Sequence, residues 1–289
     1  MSQTLKYLLF TFISAYFLQL SAAQNSNTSG GLIALCMFMP TIGAFIAGAD
    51  IKNFGWKPDI TNNKKLILIA WLLPTVSQLL GAILFYIVFN DELDFSGTFL
   101  KETDPTTYEK LKESSGSYLS YVINEIVLSF TSPHLVIAVI LGLGEEIGWR
   151  GFLFPRLKEN FGRTKGLVLG GIIHGSWHFP LMLLIGYEYG KDYIGAPFLG
   201  LIAFCIYTTA MGIIADFLYE KSECIWLPAL FHGTINSSFN SLMFSNGEHG
   251  ERSIFGPVDI GLISMMPMVV FAFNILYREN KRESYWSDQ

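Results

Sequence analysis

Apolar residues in this chain gather into runs of about 20 and do not alternate with polar ones over short distances. The runs fall near 5–23, 31–49, 66–89, 134–154, 166–186, 197–219, 225–245 and 257–277. A bilayer core takes roughly 20 apolar residues of helix to cross, and a helix satisfies its own backbone where no water can. The pattern therefore predicts an all-α fold, a polytopic membrane helix bundle of about eight transmembrane helices. Segments of about ten alternating residues, the mark of a membrane barrel, are not seen. Eight spans leave no room for a sizeable soluble domain, so residues 1–289 read as a single integral membrane domain.

The longest polar stretch, 90–117, mixes charges with Ser, Thr and Gly. After it, 118–130 alternates apolar and polar positions up to Ser132-Pro133. This predicts a short amphipathic helix at the interface or leading into the fourth span.

Composition agrees: 51% of residues are hydrophobic and 15% charged, with a mean hydropathy of +0.39. The charges also orient the bundle. With the N-terminus inside, 14 of the 19 lysines and arginines fall in cytoplasmic segments, which puts both termini in the cytoplasm. Residues 1–23 fit two descriptions, a retained helix and a cleavable signal peptide ending at Ser21-Ala22-Ala23. The net charge of −5, with no basic stripe, gives no sign of nucleic-acid binding. Cys36, Cys205 and Cys224 are scattered and suggest neither a disulfide framework nor a metal motif.

One oily stretch breaks the pattern: GLGEEIGWRGFLFPRL, residues 142–157, carries Glu145, Glu146 and Arg150. Each charge within a span costs about 2.5–3.5 kcal/mol on insertion scales, so such residues face a bundle interior and mark function by default. Glu146 and Arg150 are four apart and can pair on one helix face. Glu145 points about 100° away and lacks that partner. A purely structural network of the three at the cytoplasmic mouth is the competing description.

The histidines favour chemistry. His174 and His178, in HGSWHFP, are one turn apart, and LFHGTINSS does the same for His232 and Asn236. His134 and His249 lie at span ends. The ordered set Glu145-Glu146-Ile147-Gly148-Trp149-Arg150, His178 and His232-Gly233-Thr234-Ile235-Asn236, a motif core over 145–236, resembles the CAAX prenyl protease type II family. That family is also called the CPBP or ABI family of intramembrane glutamic endopeptidases. Its pattern is EExxxR, then an aromatic residue four before a His, then HxxxN.

The resemblance implies a metal-free peptidase with no cofactor, acting near the cytoplasmic side of a bacterial plasma membrane. Its partners would be peptide or protein substrates, lipidated or not, and membrane lipids. It implies Glu145 as general base on a water that His178 also holds, with His232 and Asn236 donating to the oxyanion and Glu146 and Arg150 supporting. One position departs: where the family has Phe or Trp, this chain has His174. Either His174 packs as a ring, or His174, His178 and Glu145 form a zinc site of a metalloprotease. A proton- or ion-coupled transporter is a third possibility for intramembrane Glu, His and Arg, although the chain lacks duplicated halves. A non-catalytic scaffold that retained the fold is a fourth.

Overall fold

A computed structural model describes residues 1–287 except 26, 115, 248 and 249, and omits the side chains of 283–287. His249 therefore lies outside the described residues. The helices are α1 (Gln3–Gln24), α2 (Ser29–Cys36), α3 (Met39–Ile46), α4 (Lys64–Val88), α5 (Thr98–Thr103), α6 (Pro105–Glu113), α7 (Tyr118–Thr131) and α8 (Pro133–Gly148). They continue as α9 (Phe154–Phe161), α10 (Arg163–Trp177), α11 (Phe179–Ile185), α12 (Phe198–Ser222), α13 (Trp226–Asn236) and α14 (Met266–Ser287). Among the described residues there is no strand, only one isolated bridge between Leu93 and Ser245. The protein is an all-α membrane helix bundle.

Helix α1 shows how the spans sort their faces. Ser2 caps it by accepting from the Leu5 amide. Its buried residues Tyr7, Thr11, Ala15, Gln19 and Ala22 recur at helical spacing, while Ile13 and Phe17 on the other side are exposed, as a lipid-facing surface requires. Helices α2 and α3 together make one span, Ser29–Ile46, with Pro40 in the first turn of α3. Helix α12 is the most buried span and packs between α10 and α14. Gly171 lets α10 close on the Thr209 backbone, where any side chain would collide.

Helix α8 leaves α7 at a 47° bend after Ser132-Pro133. It runs through a π-helical turn, Trp149–Leu153, straight into α9. Such turns concentrate at functional sites because they re-aim side chains within a helix. Beside it, α13 runs antiparallel, and Gly233 brings its backbone against Val139.

Among the described residues five helical spans are long and apolar enough to cross a membrane, and six if α7 and α8–α9 count as one bent span. The apolar run at 225–245 is a helix only to Asn236, about 16 Å, followed by a loop and a 3-10 turn at Ser241–Phe244. The run at 257–277 becomes helical only at Met266. Hydropathy counts apolar residues, and in both segments these line the bundle interior as loop rather than crossing as helix.

The bundle has two unlike ends. One carries both ends of the described chain, the 3-10 turn Ile51–Asn53 and the α9–α10 and α12–α13 turns. The other carries 89–117, 186–197 and 237–265. There 90–117 alone holds seven acidic residues against three lysines.

Candidate active site

Glu145 lies about 12 residues, roughly 18 Å, along α8 from Pro133, so it is deep within the bundle. Both glutamates and Arg150 are buried. Helical spacing has done what the sequence suggested: Arg150 Nη1 is 2.9 Å from Glu146 Oε1, and the guanidinium lies 4.6 Å over the Phe154 ring. The same Glu146 oxygen is 2.8 Å from His232 Nδ1. A carboxylate there accepts the Nδ1–H, which leaves Nε2 as the lone-pair nitrogen of the neutral ring. That Nε2 faces Glu145, 4.0 Å from Oε1.

The other Glu145 oxygen is held twice. Trp149 Nε1–H, one turn on, donates to Oε2 at 3.1 Å, and His174 Nε2 lies at 3.1 Å from the same atom. The His174 ring packs against Trp149, centroids 4.9 Å apart. His174 and His232 are the histidines whose ring nitrogens come within 4.0 Å of this carboxylate among the described residues.

His178 sits one turn further along α10, its ring 5.5 Å from that of His174. Its Nδ1 is 3.3 Å from the His174 carbonyl oxygen. Phe204 meets the ring edge-on at 5.0 Å, and Tyr187 lies parallel to it at 6.2 Å. Asn236, one turn beyond His232, is exposed to the shared cavity.

A cavity of about 640 Å³ is lined by Glu145, His174, His178, His232 and Asn236. It leads to His134, in the first turn of α8, and to Glu188, Asn240 and Asp259 in the loops. All of these rim residues lie at the end of the bundle away from the termini. Toward the termini the floor is closed: Trp149, Arg150, Phe152, Leu153 and Phe154 have no exposed surface. At the rim Tyr207 donates a hydrogen bond to Asp259. Burial and the neighbouring Asp259 push the Glu188 carboxyl up to about 7.

The structure thus gathers Glu145, His178, His232 and Asn236 around one cavity, with Glu146 and Arg150 behind them. The structure adds three observations to the sequence expectations. His174 packs its ring on Trp149 and also brings Nε2 within hydrogen-bond distance of Glu145 Oε2. His178 Nδ1 is turned to its own helix backbone, and among the described residues no three His, Cys, Asp or Glu side chains gather to hold a metal. The cavity lining runs from Glu145 to loop residues at the end of the bundle away from the termini.

Sequence reasoning missed Trp149, although Glu145–Trp149 has the same i,i+4 spacing as Glu146–Arg150. It also missed Tyr207, Glu188 and Asp259, which no local spacing connects.

Residues 127–238 match the family model described as Type II CAAX prenyl endopeptidase Rce1-like, a stretch that contains Glu145, Glu146, Arg150, His174, His178, His232 and Asn236. Over 249 residues the chain is 28% identical to CAAX prenyl protease 2 of Methanococcus maripaludis, covering 80% of this chain and 81% of that protein. An all-α membrane bundle with these matches is a membrane peptidase. The motifs over 145–236 fall within the matched stretch, and the chain is similar to the Rce1-like CAAX endopeptidases.

Proposed function

We propose that this protein is an intramembrane endopeptidase in which Glu145 takes a proton from a water held between its Oε1 and His232 Nε2. One observation carries the reading. With Oε2 occupied by Trp149 and His174, Oε1 faces His232 Nε2 across 4.0 Å, a gap that one water bridges. Two acceptors facing each other grip a water by its hydrogens and turn its oxygen lone pairs outward to attack.

In the reaction the water oxygen bonds to the peptide carbonyl carbon while its proton moves to Glu145. As the C–N bond breaks, Glu145 passes that proton to the leaving nitrogen. The Asn236 amide, exposed to the cavity, donates to the developing oxyanion. His178 lines the wall the peptide passes and is a second contact for the water or the carbonyl. Glu146 fixes the His232 tautomer that leaves Nε2 to accept from the water, and Arg150 neutralises Glu146.

The substrate class is a peptide or protein. The relative's name makes a prenylated CAAX tail the first to test, beside the same peptide unprenylated. We assign both termini to the cytoplasmic side of a plasma membrane, from the lysine and arginine distribution. With that orientation the loop residues lining the cavity, Glu188, Asn240 and Asp259, fall on the outer side of the bundle.

The deciding experiment is peptide cleavage by purified protein, wild type against Glu145→Gln, with and without a chelator. Cleavage that survives Glu145→Gln, or that a chelator abolishes, overturns the glutamate reading.

A further inference from the structure

The position at which this chain departs from its family pattern sits on the reacting carboxylate. His174 is buried, and its Nε2 is 3.1 Å from Glu145 Oε2. Its Nδ1 has no hydrogen-bond partner. A neutral histidine carries one N–H, and here a carboxylate faces only one of its nitrogens, so the proton sits on Nε2 and is donated to Glu145. Phe or Trp carbon at this place would fill the same space between Trp149 and His178 and donate nothing to that oxygen.

We infer that His174 is a positioning residue for Glu145: with Trp149 it clamps Oε2, so that Oε1 alone is free to hold the attacking water. The inference rests on the glutamate mechanism proposed above. Two N–H donors on one oxygen fix both rotation and distance of the carboxylate, the preorganisation a general base needs.

Other titratable groups surround the pair. Glu146 and Arg150 lie on the same continuous helix, His178 on α10 and His232 on α13. Tyr7 of α1, Cys36 of α2 and Tyr187 after α11 face it from the remaining sides. All of them stay in place when His174 alone is changed, so the difference between variants reports the clamp.

The test compares His174→Phe, which keeps the ring and removes the donor, with His174→Gln, whose side-chain amide can still donate. Cleavage kinetics are measured with wild type, Trp149→Phe and Glu145→Gln alongside. For His174→Phe, kcat should fall about tenfold or more with KM little changed. Trp149→Phe should lower kcat in the same way, and His174→Gln should recover most of the loss. Thermal melting in detergent checks that each variant is folded.

A His174→Phe enzyme with wild-type kcat overturns the clamp, and so does a His174→Gln enzyme no better than His174→Phe. Neither outcome touches the base assignment. Failure of that assignment shows separately, as an active Glu145→Gln enzyme.

Discussion

His232 Nδ1 and Arg150 Nη1 meet on a single oxygen of Glu146, at 2.8 and 2.9 Å. One carboxylate therefore orients a site imidazole and neutralises a buried guanidinium. Glu146→Gln should strand Arg150 and let His232 turn, costing about 3–5 kcal/mol by the usual measure of a broken buried pair. Thermal melting and cleavage should both be impaired. A Glu146→Gln protein with wild-type melting temperature and kcat contradicts this arrangement.

Glu145→Gln keeps the shape and the contact with Trp149 but removes the basic oxygen. Turnover should drop by about 10²–10⁴, the range for general-base loss, with melting nearly unchanged. A loss of less than tenfold would place the base elsewhere.

The α8–α13 crossing can be tested without touching a polar group. A side chain at Gly233 meets the Val139 backbone. Gly233→Val should push the helices apart, separating His232 from both glutamates, and lower activity together with melting temperature. Full activity in this variant would mean that the crossing tolerates expansion.

Orientation is open to labelling in intact cells. Lys64→Cys, at the start of α4, should react with an impermeant reagent only after permeabilisation, whereas Lys191→Cys, beside the cavity rim, should react at once. The reverse pattern would turn the cavity to the cytoplasm.

Glu188 predicts a pH dependence. Its folded pKa of about 7 lies above the ordinary glutamate value of 4.5, because of burial and the Asp259 charge. For a raised folded pKa, the stability contribution is full below the unfolded value and is lost as pH rises through the folded one. Melting should therefore decline between about pH 4.5 and 7, and Glu188→Gln should flatten that part of the curve.

What was legible in the sequence followed from local periodicity. The α1 stripe, the Glu146–Arg150 pair and the shared faces of His174 with His178 and His232 with Asn236 all depend on helical spacing alone. What was not legible depends on tertiary approach. Nothing in the spacing of Glu146 and His232, 86 residues apart, says that one orients the other. The apolar loops after Asn236 and before Met266 have the composition of spans because they face the bundle interior. Direction of access was also hidden, since it depends on which side chains pack below Glu145.

The packed floor formed by Trp149, Phe152, Leu153 and Phe154 makes the chamber a blind one. With that end closed, peptide, water and cleaved fragments come and go away from the floor, and a fragment that lingers there competes with fresh substrate. The closed floor also keeps the chamber from becoming a leak: water reaches the middle of the membrane from one side only, and no ion finds a continuous wet route across. Vesicles holding the active enzyme should therefore retain an imposed proton gradient as well as vesicles without it.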